Sequence, residues 1–172
     1  STSLTPKPFS VSVRDRIAQL PHVSATCALF VELMSIEDSQ LMMLSAREWD
    51  GFAWKHLKLV SGRMPRDAAE PAVVLGQTAA DVLKKKVGDP IQIEATEVSV
   101  VGIVSGGALV EDGSVILSLS LFQEITGNQG KINVIDIRVT PSTTEEEVKQ
   151  LCEQIHGIVP EVRAVAVSEH LS

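Results

Sequence analysis

Hydrophobic and polar positions along the chain switch between two periods, and the switches mark out the elements. Residues 23–33, VSATCALFVEL, alternate with period two. Val23, Ala25, Cys27, Leu29, Val31 and Leu33 share one face, the signature of a half-buried strand. Glu37-Asp38-Ser39 reads as a turn and Leu41–Ala46 as the returning strand of a hairpin. Ahead of it, Ser10–Leu20 has helical spacing, with Val13, Ile17 and Leu20 on one stripe, a capping pair Ser12/Asp15, and Pro21 as a stop. Towards the other end, Lys131–Thr140 is a strand rich in Ile and Val, halted by Pro141. Ser142-Thr143-Thr144 followed by Glu145-Glu146-Glu147 offers overlapping capping boxes to a helix. Val148, Leu151, Cys152 and Ile155 line the inner face of that helix, Gly157 closes it, and Val162–Val167 reads as the next strand.

The texture between these units differs. Ala72–Leu75 is a short strand that runs through Gly76 into a helix over Thr78–Val87, with Ala79, Val82, Leu83 and Val87 as its apolar residues. Gly88 suits the left-handed cap of that helix, and Asp89-Pro90 a turn. Ile91–Ala95 and Val98–Val104 follow as strands joined tightly at Thr96-Glu97. Ser105–Gly113 reads as a flexible loop, Ser114–Leu119 as a strand, and Ser120–Ile125 as a helical turn ended by Gly127. The arrangement is outer piece, insert, outer piece: an α+β fold of two subdomains, one of them discontinuous in sequence. IAQLPHVSA (Ile17–Ala25) and IHGIVPEVRA (Ile155–Ala164) share the order helix end, Pro, Val, Ala, strand. That similarity is either chance or a duplicated α/β element.

With 172 residues, one large domain or two small ones sharing a core are accessible. At that size roughly 70% of the unfolded surface is buried, so no metal or disulfide staple is required. A net charge of −7, a single basic run at Lys84-Lys85-Lys86 and an aromatic share of 3% without Tyr argue against nucleic acid as a partner. No stretch reaches the roughly 18 consecutive apolar residues of a membrane span. Ser1 opens a polar segment unlike a signal peptide, which fits a cytosolic protein or an excised piece of a larger one.

Catalytic signals are thin. Cys27 and Cys152 have no metal or redox spacing and read as buried thiols or as partners in a disulfide. His22, His56, His156 and His170 lie at turns and helix ends without metal-ligand spacing, as surface residues. The strand–Gly76–helix stretch, VVLGQTAADVLKKK, sits where a phosphate loop would, but Gly76 stands alone. No second glycine and no Lys-Ser or Lys-Thr opens the helix, so the reading is a turn and no nucleotide or other cofactor is expected. Glu111 and Asp112 read as solvated charges in a glycine-flanked loop. Trp49 and Trp54 are candidate partner contacts or packing at the junction of subdomains. Met34, Met42 and Met43 read as a soft binding patch or as strand positions in a core.

Five pieces occur in register: LKLVSGRM (Leu57–Met64), EPAVVLG (Glu70–Gly76), an A-x-x-L at Ala80–Leu83, KVGDPIQI (Lys86–Ile93) and VSVVGIV (Val98–Val104). Together with Leu20-Pro21-His22-Val23 they resemble the periplasmic core domain of MacB-like ABC transporter permeases, a group that includes lipoprotein-releasing and FtsX-related permeases. The resemblance covers nearly the whole chain. It implies a porter-like α/β sandwich with short helices packed on a sheet (1–71 and 131–172), and an inserted β-rich, sabre-like subdomain (72–130). It implies structural motif residues at Gly62, Arg63, Gly76, Gly88, Asp89 and Gly102, with Arg63 pairing Asp67, Glu70 or Asp89.

The implied role is not enzymatic. The domain would lie on the periplasmic or extracellular side of the cell's inner membrane and relay ATP-driven motion of membrane helices to a substrate or periplasmic partner, in efflux or lipoprotein release. Implied partners are the ATP-binding subunit or domain of the same transporter, a second permease copy, and a periplasmic adaptor or chaperone. Ser1 and Ser172 would then emerge at one end of the fold. The rival reading is a free-standing periplasmic ligand-binding module, with a groove lined by Met and Trp.

Overall fold

The computed structural model describes residues 6–38, 40–49, 51–105, 109–160 and 164. The strand expected at Val162–Val167, Ala164 apart, and the exits of Ser1 and Ser172 lie outside these residues. Strand β1 (Phe9–Ser10) leads into helix α1 (Ser12–Ala18), and the long hairpin β2 (Val23–Ile36) and β3 (Gln40–Arg47) follows. A short helix α2 (Phe52–Lys55) precedes β4 (Lys58–Gly62). Residues 72–130, the expected insert, carry β5 (Ala72–Gly76), α3 (Gln77–Leu83), β6 (Pro90–Ile93), β7 (Thr96–Ser105), α4 (Leu109–Asp112), β8 (Ser114–Ser118) and α5 (Leu119–Thr126). The chain returns through β9 (Lys131–Ile132), β10 (Val134–Val139) and α6 (Glu145–Ile158).

Eight of these strands form one mixed sheet in the order β10-β2-β3-β8-β5-β7-β4, with β6 paired to β7 and touching β2 at its far end. Strands of both blocks therefore share a sheet. They meet at the parallel β3–β8 pairing, from Met43 opposite Ser114 to Arg47 opposite Ser118, and again where β4 pairs with β7 and β2 touches β6. Strand β4 sits at the outer edge beside β7. The short β1 pairs with β9 in a separate ribbon.

The main core lies on one sheet face, where Phe30, Met34, Ile36, Met42 and Leu44 of the hairpin meet Val73, Leu75, Val115, Leu117 and the helix residues Ala79 and Phe122. Phe30 and Phe122 rings lie 4.9 Å apart across the two blocks. Each of the Phe, Met, Ile, Leu and Val side chains, fully buried, contributes about 1.5–3 kcal/mol. A smaller cluster of Trp54, Leu57, Val74, Val101, Val104 and Ile116 fills the opposite face. Helices α1 and α6 pack together through Val13, Ile17, Leu151 and Ile155. The helix ends that open both copies of the similar segment, at Ile17 and Ile155, therefore share one helical layer.

Several local expectations are corrected. In β2 the even positions Ala28, Phe30, Met34 and Ile36 face the main core, while Val31 and Leu33 of the expected inner face are only half-buried. The sheet is covered on both faces at its centre, so alternation marks the strand but not its buried side. The α1 cap is not Ser12/Asp15: Val11 stands at the cap without a side-chain bond. Helix α3 stops at Lys84, which takes the left-handed conformation (φ 55°) expected of Gly88, and its buried residues are Ala79 and Ala80, with Val82 and Val87 exposed. The β6–β7 turn falls at Glu94-Ala95, between Ile93 and Thr96, one pair earlier than expected. Within the expected 105–113 loop, residues 109–112 are helical.

Near the C-terminal end, Gly157 lies inside α6, which runs to Ile158. Of the overlapping capping boxes, the one used is Thr144 with Glu147, both bonds present. That backbone bond holds the Glu147 carboxyl below its ordinary range. The expected strand Lys131–Thr140 is broken at Asn133, which sequence reading passed over. Asn133 is buried, and its carboxamide accepts from Val31 N (2.8 Å) and donates to Val31 O (2.7 Å), extending the β2 ladder just before β10 begins. Cys27 and Cys152 are free thiols, and burial pushes the Cys27 thiol up.

Candidate functional site

Gly62, Arg63 and Gly102 assemble at the β4 edge of the sheet, while Gly76 ends the interior strand β5. Gly62 of β4 lies opposite Gly102 of β7. A Cβ on Gly102 would stand 2.3 Å from Arg63 O, and one on Gly62 2.2 Å from Val101 O. Gly62 also holds φ +77°, a conformation open to glycine without strain. Removing both side chains lets the chain cross over β7 at backbone distance, where Arg63 N donates to Val101 O at 2.8 Å.

Beyond that crossing, residues 63–70 form a clamped loop. The Arg63 guanidinium forks onto Glu70, Nη1 to Oε1 at 3.0 Å and Nη2 to Oε2 at 2.7 Å, and also donates to Met64 O. Of the three acids expected as its partner, the structure selects Glu70. Glu70 Oε1 further accepts from Arg66 N, while Asp67 accepts from the amides of Ala69 and Glu70. The Arg63 hydrogen bond, followed by the Arg66 amide, lowers the Glu70 carboxyl from 4.5 to about 2. Ser118 of β8 anchors the loop by donating to Ala68 O at 2.6 Å. Asp89 belongs to a separate turn, accepting from Lys86 N at 2.9 Å, beside Gly88 (φ +96°) whose amide donates to Val100 O.

Gly76 ends β5 under helix α4. Its Cβ would meet Glu111 O at 2.2 Å and Asp112 O at 2.4 Å. The glycine gives room to a neighbouring backbone, and carbonyl oxygens flank it where an anion would need donors. On the same side lies a polar cluster that sequence reading missed. Arg47 of β3 is buried, its side chain 5% exposed. Its Nε donates to Ser45 Oγ (3.1 Å), its Nη1 to Ala53 O of α2, and its Nη2 to Glu111 Oε2 of α4 (2.8 Å). His56 Nε2 meets the same Glu111 oxygen at 2.6 Å. Glu111 is therefore an enclosed counter-ion rather than the solvated charge expected. Its only signal in sequence is an acid following two apolar residues, Leu109 and Val110, which names no partner.

Trp49 and Trp54 pack edge to face, centroids 5.2 Å apart, with Trp54 Nε1 donating to Glu48 O. Trp54 is buried and Trp49 half-buried. Of the Met and Trp side chains imagined to line a ligand groove, Met34, Met42 and Trp54 are buried. Met34 and Met42 sit in the core, and a cleft of about 320 Å³ is lined instead by Ala69, Pro71, Thr96, Leu121, Glu124 and Ile125. His22 pairs with Glu147 at 3.1 Å. Among the described residues no three His, Cys, Asp or Glu side chains gather as metal ligands, and no helix is long and apolar enough to cross a membrane.

Comparison with known proteins bears on what this arrangement serves. The family described as the MacB-like periplasmic core domain matches residues 2–155. An uncharacterized ABC transporter permease of Methanocaldococcus jannaschii is 34% identical over 98 residues, 55% of this chain and 24% of that protein. The chain thus spans about a quarter of that curated relative. The periplasmic region of MacB from Actinobacillus actinomycetemcomitans superposes with a TM-score of 0.67 over 90% of this chain and 76% of that one, at 14% identity. The extracellular domain of the noncanonic ABC-type transporter YknZ from Gram-positive bacteria gives 0.65 over 87% and 83%, at 12% identity. At such identities these two similarities describe the fold.

Proposed function

The chain belongs to the family of MacB-like periplasmic core domains, and on that premise we propose that it relays motion of membrane helices to a substrate or partner outside the membrane. The family is a domain of ABC transporter permeases and not an enzyme class. The single observation that carries the proposal is the family match across residues 2–155. It is supported by a fold held together by packed strands, paired charges and close backbone crossings, as a force-bearing part requires.

In this reading the intact protein is anchored in the inner membrane with this domain on its outer side. ATP hydrolysed by a partner subunit or domain moves the helices, a second permease copy completes the transporter, and an adaptor or chaperone receives the stroke. The blocks 1–71 with 131–172 and 72–130 act as the porter-like and sabre-like parts, adjoining at the β3–β8 and β4–β7 pairings. Gly62, Arg63, Gly76, Gly88, Asp89 and Gly102 shape the sabre-like part and its junction, and Trp49 with Trp54 sits where a partner would be felt. Efflux of a small molecule and release of a lipoprotein are both uses of the same stroke.

The test uses the intact permease with its ATPase in a bilayer, carrying spin labels at the exposed positions Glu97 and Glu153, one in each block. A change in the distance between labels, or from each label to the bilayer, on switching between nucleotide-free and ATP-bound states is expected. Distances that stay fixed through turnover would remove the mechanical reading.

A further inference from the structure

The way α4 is fastened sets it apart from the other helices. Leu109 is 92% exposed and Val110 69%, so neither large apolar side chain of this helix enters a core. What holds α4 down is polar. Glu111 bonds to Arg47 and His56, and Ser114 Oγ donates to Val110 O at 2.6 Å. The three groups come from different elements: Arg47 from the end of β3, His56 from the turn after α2, and Glu111 from the insert. Asp136 of β10 lies within electrostatic range of all three, with Arg138 beside it.

We propose that Arg47, Glu111 and His56 form a releasable latch that fastens the insert, through α4, to the β3–α2 side of the sheet. A segment held by hydrophobic burial opens only with the core, because its apolar surface must be hydrated. A segment held by ion pairs opens locally, since water replaces the lost partners as it enters. Arg47 sets the limit on that opening. Its Nε and Nη1 stay bonded to Ser45 and Ala53 while Glu111 leaves, so the buried cation keeps two of three partners. The closed latch holds α4 against the β3–α2 side of the sheet. The open latch frees α4, with Leu109 and Val110 on it, to move. The latch rests on side-chain geometry, while its use in transmitting a stroke rests on the mechanical reading above.

Amide hydrogen exchange on the 172-residue chain tests the latch without reference to transport. The reporter is the Gly113 amide, bonded to Leu109 O at 3.2 Å, and the reference is Leu44 in the buried β3. In the unaltered protein Gly113 exchanges at least a hundredfold faster than Leu44, after correction for intrinsic rates, and its rate is nearly independent of added urea. Glu111→Gln accelerates Gly113 at least tenfold more than it accelerates Leu44, and His56→Gln acts in the same direction with a smaller factor because Arg47 remains bound. Protection of Gly113 equal to that of Leu44, or variants in which both amides accelerate together, would overturn the proposal. Should Glu111→Gln fail to fold, His56→Gln decides alone: a threefold selective acceleration at Gly113 supports the latch, and none refutes it.

Discussion

Gly76→Ala is the sharpest perturbation the structure offers, because space alone forbids it. Gly76 has φ −60° and ψ 153°, which alanine adopts without strain, so any loss comes from the added methyl. That methyl would lie 2.2 Å from Glu111 O, 2.4 Å from Asp112 O and 2.5 Å from Asp112 C. Ordinary contact needs roughly an ångström more, and these are backbone atoms that no rotamer change can withdraw. Either β5 shifts in the core or α4 lifts. Overpacking of this kind costs about 1–3 kcal/mol. Lifting α4 adds part of the roughly 3–5 kcal/mol seen when a buried charge loses its partner, only part because Arg47 keeps two other acceptors. A total of about 3 kcal/mol lowers the Tm of a domain this size by roughly 6–12 °C. Scanning calorimetry and urea unfolding read this directly. If α4 is what yields, Gly113 exchange rises in the same variant. A Tm within 1 °C of the unaltered protein would refute the close approach of α4 to β5, and with it the account of why glycine stands there.

Two further outcomes follow from other sites. Gly157→Ala has the opposite sign: Gly157 lies inside α6 with nothing within 4 Å of an added Cβ. It should stabilise by about 0.5–1 kcal/mol, read as a raised urea midpoint, and a destabilisation would show that α6 does not extend through it. Glu70→Gln alters the pH profile. The folded-state carboxyl lies near 2 against an ordinary 4.5, so the Arg63–Glu70 pair contributes fully above pH 4.5, and its contribution is lost as pH falls towards 2. The unaltered protein should lose stability more steeply than the variant across that window, and parallel profiles would count against the pair.

Much of the fold was legible because period and punctuation act locally. The β2–β3 hairpin, the strand into Gly76, the helix ended by Gly127 and the Thr144–Glu147 cap each depend on residues within a few positions of one another. The sequence motifs also led to the right family. The misplaced points share a cause. The stop of α3 at Lys84 and the buried face of β2 are settled by what covers each element, which neighbouring residues do not state. The latch was invisible for the same reason, since Arg47, His56 and Glu111 lie up to 64 positions apart and converge only when β3 and β8 pair.

By itself, then, the sequence determined the alternation of elements and the presence of glycines at tight crossings. Local sterics, capping and hydrophobic period need no distant partner to act. Only the tertiary structure decided that strands of both blocks run in one sheet, that the backbone of α4 lies against Gly76, and that Glu111 of an expected loop pairs with a buried arginine. Those outcomes depend on which surfaces meet, and burial turns a contact that water would screen into one that fixes the arrangement of the domain.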